Sequence, residues 1–158
     1  MYTYAPQKID PTSRQPARLR NLFVRLAEIL QSTLETVVER IGDPAPLIYA
    51  RLFAAYPELE PKFAMDQSGM VRQEMFLKAA ESRVDLASER CCARAMLVAE
   101  HSNHSMNGVL AAQFDLFFDA IMAVFWQALG KDWSPAMESA WGTAVGKARG
   151  ISANSGLP

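Results

Sequence analysis

The chain has two histidines, His101 and His104, in the stretch Met-Leu-Val-Ala-Glu-His-Ser-Asn-His-Ser-Met-Asn-Gly from Met96 to Gly108. An imidazole can ligate a metal through one ring nitrogen while the other donates to a backbone carbonyl of the preceding turn, which fixes tautomer and direction. A helix expected from about Glu89 to Glu100 leads into this stretch. Leu97 stands one turn before His101 and two turns before His104, so all three can share one helix face. The plainer alternative for either ring is a satisfied surface histidine.

The elements that must position these rings are helical. Half of the residues are hydrophobic, and 158 residues suffice for one domain with a sizeable core. The formal net charge is −1, so no basic excess points to nucleic acid. No uninterrupted apolar run is expected to span a bilayer, and Met1 to Gln15 lacks the apolar segment of a signal peptide; the expected location is the cytoplasm. Cys91 and Cys92 are adjacent and read as reduced thiols.

Residues 1–16 read as a loose arm. Ala17 to Leu30 carries a helical stripe of Leu19, Leu22, Phe23, Leu26 and Leu30, which suggests an accessory helix before the main domain. Ser32 and Glu35 have the spacing of a capping box opening a second helix with Leu34, Val37, Val38 and Ile41 on one face. Gly42 stops it, and Asp43-Pro44 restarts the chain. Leu47, Ile48, Leu52, Phe53 and Tyr56 mark the next helix, with Tyr49 near its inward side. A helix from Val71 to Leu86 has Phe76, Leu77, Ala80 and Val84 as its apolar set. The most apolar helix runs from Ala111 to Leu129, and Ser134-Pro135 opens the last. Strand alternation and the common nucleotide and hydrolase motifs are absent from the sequence. The reading is an all-α chain of about seven or eight helices, divided into residues 1–31, 32–150 and a flexible tail, 151–158. Phenylalanines crowd around the histidine segment, as a core would require or as a flat hydrophobic cofactor held among helices would.

Three segments carry a resemblance. Tyr49-Ala-Arg-Leu-Phe-Ala-Ala-Tyr-Pro-Glu-Leu-Glu-Pro-Lys-Phe63 resembles the second and third helices of bacterial single-domain globins and of the globin domain of flavohemoglobins. Leu129-Gly-Lys-Asp-Trp-Ser-Pro135 fits the join between the last two helices of that family. Ser139-Ala-Trp-Gly-Thr-Ala-Val-Gly146 resembles its last helix. The match covers roughly Ser32 to Gly150, with the histidines between the motifs.

The resemblance implies the globin fold around heme b. Phe63 would stack on the heme, and Leu97, Val109 and Phe114 would line it. Tyr49, Gln73 and Leu77 would form the distal, ligand-binding side. Arg72 is the alternative to Gln73; it would place Phe76 over the ligand and turn Arg83 inward, at the cost of burying a charge. His104 would ligate the iron, because Gly108-Val109, Phe114 and Leu129-Gly130 then keep the family's offsets. His101 is the alternative ligand, since His104 puts Glu100 one turn back, toward the porphyrin. The chain departs from the flavohemoglobin pattern in having Phe114 in place of a tyrosine, no glutamate after Trp141, and no flavin or nicotinamide domain.

The function implied is reversible binding of oxygen, nitric oxide or carbon monoxide. Nitric oxide dioxygenase-like chemistry would require a separate reductase. A gas or redox sensor and a heme-free globin-like interaction module are the alternatives. No nucleic-acid or membrane partner is expected, and a homodimer through the last two helices is compatible with the sequence.

Overall fold

The computed structural model describes residues 17–88 and 92–154, the last three as backbone only. Helix α1 is Ala17–Ile41, α2 Ala45–Ala55, α3 Met70–Ala87, α4 Ala93–Met106, α5 Ala111–Leu129 and α6 Pro135–Asn154. Short 3-10 turns occupy Pro57–Phe63 and Gly130–Asp132. Strands are absent among the described residues. The expected arm and Cys91 lie outside the described residues; Cys92 is exposed.

The helix expected to begin at Ser32 is instead the second half of α1, and the division at residues 31 and 32 falls inside it. Ser32 and Thr33 hydroxyls donate back to the Ile29 carbonyl, at 3.2 and 2.6 Å, and Thr36 donates to Ser32 at 2.7 Å. Back-bonded hydroxyls let serine and threonine sit inside a helix. The buried line is Leu30, Thr33 and Val37, whereas Leu19, Leu22, Val38 and Ile41 are exposed. Gly42, at φ 73°, closes the helix with its N–H on the Val38 carbonyl at 2.9 Å. The Asp43 carboxylate then accepts the Ala45 N–H at 2.9 Å and opens α2.

The main core joins α1, α2, α3, α5 and α6 through residues such as Ile48, Phe76, Phe125 and Trp141. A smaller cluster of Leu86, Ala93, Leu97, Ala148 and Ile151 joins the end of α3 to α4 and α6. The segment Ala111–Asp132 is, by length and composition, apolar enough to cross a membrane, where no such run was expected. Its Phe118, Ile121, Val124, Phe125 and Leu129 are buried in the core. The last helix continues through Asn154, so the first residues of the expected tail are helical.

Helix α3 differs from expectation in register. Its buried line is Phe76, Ala80, Arg83, Val84 and Ala87, while Leu77 is 43% exposed. The polar side chain one turn before Phe76 is Arg72, not Gln73. This is the register that buries Arg83, and the charge is accommodated. The guanidinium carbon lies 3.5 Å from the centroid of Phe118, and Nη1 donates to Ser82 Oγ at 3.2 Å. Burial pulls the Arg83 pKa down to about 9, against the attraction of Asp115; the group still carries its charge at neutral pH. Its Nε finds no partner among the described residues. A buried cation so poorly paired is worth little as a stabiliser, so Arg83→Met should leave stability unchanged or raise it by about 1–4 kcal/mol. Urea unfolding checks this. A loss of several kcal/mol would mean that Asp115 and the Phe118 face more than offset the desolvation.

The lowered pKa gives a sign to the pH dependence. Between about 9 and the ordinary arginine value, the unfolded chain binds more protons than the native one, so Arg83's contribution to stability rises with pH. The advantage of Arg83→Met should therefore shrink above about pH 9.

Candidate functional site

The end of α4 sets the histidines apart. His104 Nδ1 donates to the Glu100 carbonyl at 2.8 Å. That bond assigns the proton to Nδ1 and leaves the Nε2 lone pair for a metal. The His104 side chain is 22% exposed, whereas His101 is 3% exposed, with its Nδ1 unpartnered among the described residues. Both rings meet Phe114 edge-on at 5.1 Å. The Glu100 carboxylate turns outward, 55% exposed, with an oxygen 3.9 Å from His104 Nδ1. The carboxylate cost that favoured His101 therefore does not arise, because a side chain at that position can leave the wall it starts from.

Gly108 turns the chain at φ 73°, and the Val109 N–H donates to the His104 carbonyl at 3.0 Å. This turn is tied to the 3-10 segment carrying Phe63, because Lys62 Nζ donates to the Asn107 carbonyl at 3.0 Å. Gln113 adds a second tie. Its Oε1 accepts the Leu110 N–H at 2.9 Å, and its Nε2 donates to Glu58 at 2.7 Å. Leu97, two turns before His104 on the same helix, packs in the smaller core cluster with Phe114 against it.

Across from this turn, Tyr49 is 2% exposed in an aromatic group. Its ring lies 5.7 Å from Phe53, 5.2 Å from Phe63 and 5.2 Å from Phe117. Phe117, Phe118 and Phe114 then meet edge to face in sequence at 5.7 and 5.5 Å, and Phe114 reaches His104. One face of α5 thus forms a continuous aromatic floor between Tyr49 and His104. The apolar walls and the His104 Nε2 lone pair fit a flat iron-bearing macrocycle, which needs hydrophobic contact and a nitrogen ligand.

Asp66 fixes the start of α3. It is 7% exposed, and its carboxylate accepts the Val71 N–H at 3.1 Å and both the Arg72 N–H and Arg72 Nε at 3.0 Å. Burial raises its pKa, but these donors outweigh that and hold the carboxyl below its usual range. Arg72 Nη2 also donates to the Asp66 carbonyl at 2.9 Å. Burial raises the Tyr49 pKa; the Arg72 charge opposes this and Asp66 adds to it, so the ion pair acts on the phenol.

The expected distal pair is not assembled here. Gln73 is exposed and donates to Asp43 at 3.1 Å, and Leu77 faces outward. Both belong to the register that would have kept Arg83 in solvent. Asp66, Lys62, Gln113 and Glu58 were missed as positioning residues. Gln113, three residues after Leu110 at the start of α5, and Asp66, an aspartate just before α3 read as a loop or cap residue, offered local capping signals.

No curated protein and no solved structure gives a significant match. A model of the globin family matches residues 47–150, from the start of α2 into α6. That span includes Tyr49, Phe63, both histidines and Trp141, so the chain belongs to the globin family, whose members typically bind heme.

Proposed function

We propose that this globin holds heme b and, through it, reversibly binds oxygen, nitric oxide or carbon monoxide. The observation that carries the reading is the His104 imidazole, with Nδ1 bonded to the Glu100 carbonyl and Nε2 left as a ligand. Heme iron would supply the coordination position for the gas. His104 would hold the iron, with Phe63, Val109 and Phe114 against the macrocycle. Tyr49 would donate to the bound gas from the opposite wall, and Arg72 replaces Gln73 as the polar residue of α3 beside it. His101 and Leu97, both buried, serve the core.

Nitric oxide oxidation belongs to this reading only with a separate reductase to return the iron to the ferrous state. Titration with hemin tests the proposal. Stoichiometric uptake with a sharp Soret band, and a carbon monoxide adduct on reduction, are expected. A chain that gives neither is a heme-free globin-like module.

A further inference from the structure

We infer that a two-point clasp from the Phe63 segment sets the direction of the His104 imidazole, with Glu58 and Gln113 as the positioning pair and Lys62 as the second point. The inference rests on the heme-binding reading and adds to it the residues that control the iron–imidazole bond.

The last turn of α4 needs an outside hold. The helix buries Ala93, Leu97 and His101, and no residue of it after His101 is buried. Met106, at its end, is 84% exposed. His104 therefore stands in a turn that core packing does not fix, whereas a functional side chain must be held to within about 0.5 Å of its productive geometry.

The clasp supplies that hold. The Asn107 N–H bonds the His104 carbonyl at 3.1 Å, and the Asn107 carbonyl is taken by Lys62 Nζ at 3.0 Å. At the other end of the turn, Gln113 is 6% exposed and both halves of its amide are occupied. Its Oε1 accepts the Leu110 N–H and its Nε2 donates to the Glu58 carboxylate. A backbone N–H only donates and a carboxylate only accepts, so these partners fix the orientation of the amide. The Glu58 bond, at 2.7 Å, joins a charged acceptor to a buried donor and is the stronger of the two points. The residue after Gln113 is Phe114, whose ring meets His104 at 5.1 Å.

The opposite side of the clasp is itself anchored. Leu59 is 4% exposed in the main core, and Phe63 packs on Tyr49 and Phe53 at 5.2 and 5.6 Å. Glu58 and Lys62 thus belong to a segment tied to α2 on the Tyr49 side. A displacement of Phe63 by the heme would reach the His104 turn through these two bonds.

The test is resonance Raman spectroscopy of the ferrous, gas-free full chain loaded with heme, with hemin release to excess apomyoglobin measured alongside. Glu58 is exposed, so its truncation leaves the core intact. Glu58→Ala should shift and broaden the iron–imidazole band and speed hemin release about tenfold, the low end of what residues behind a metal ligand contribute. Glu58→Gln, which keeps an acceptor oxygen, should resemble wild type. Gln113→Glu keeps the cap on Leu110 but sets two carboxylates face to face, and should shift the band further. Adding Glu58→Gln to Gln113→Glu restores the bond with its direction reversed and should return the band to its wild-type position. A wild-type band in Glu58→Ala, or a shift in Gln113→Glu that the double substitution leaves in place, would overturn this inference alone. A wild-type chain that takes up no heme would overturn the parent reading with it.

Discussion

Tyr49→Phe is expected to release oxygen roughly ten- to a hundredfold faster than wild type, with carbon monoxide release changed much less. The phenol is 2% exposed and packed on three rings, so losing its hydroxyl leaves the packing in place. Oxygen draws negative charge from ferrous iron and rewards an aimed donor. Such a buried hydrogen bond contributes about 1.5–3 kcal/mol, which sets the expected factor. The raised pKa of Tyr49, caused first by burial, keeps the donor proton in place through the working pH range. Stopped-flow dissociation of both gases makes the comparison. Equal oxygen release would reduce Tyr49 to a packing residue and leave Arg72 as the distal donor.

Phe125→Ala should cost about 3–5 kcal/mol of stability. Phe125 is 0% exposed and lies edge-on to Phe76 at 6.2 Å and to Trp141 at 5.1 Å. It therefore links α3, α5 and α6 at one point, and aromatic geometry adds to the buried area. The ring's neighbours are themselves fully buried, so the cavity has little means of collapse. For a chain of this size the melting temperature should fall by about 6–20 °C. A shift of the urea midpoint with an unchanged slope would identify a stability effect. A loss below about 1 kcal/mol would show that the core repacks around the gap.

The sequence exposed the family motifs and most helix boundaries because these depend on local signals. Gly42, Asp43, Ser134-Pro135 and the apolar run from Ala111 to Leu129 all end or begin helices where their chemistry requires. Ser32 misled because a helix cap and a back-bonded interior hydroxyl use the same residue type; only the buried Thr33 one position later favours continuity. In the sequence, the register of α3 rests on counting on from Phe63 and on the line of Leu77, Ala80 and Val84, with Arg83 expected to remain in water. The Phe118 ring beneath its guanidinium is contributed by α5, and no local pattern announces such a partner. The Lys62–Asn107 and Gln113–Glu58 ties are legible only once the chain is folded, since they join residues distant in sequence. The objection to His104 turned on side-chain direction, because the spacing that put Glu100 near His104 says nothing of where its carboxylate goes.

The central claim is that His104 Nε2 is the nitrogen offered to iron. Resonance Raman spectroscopy of the ferrous, gas-free protein reads the iron–imidazole stretch directly. The account predicts this band in wild type and in His101→Ala, its loss in His104→Ala, and its return when free imidazole is added to that variant. A band that survives in His104→Ala and vanishes in His101→Ala would contradict the account.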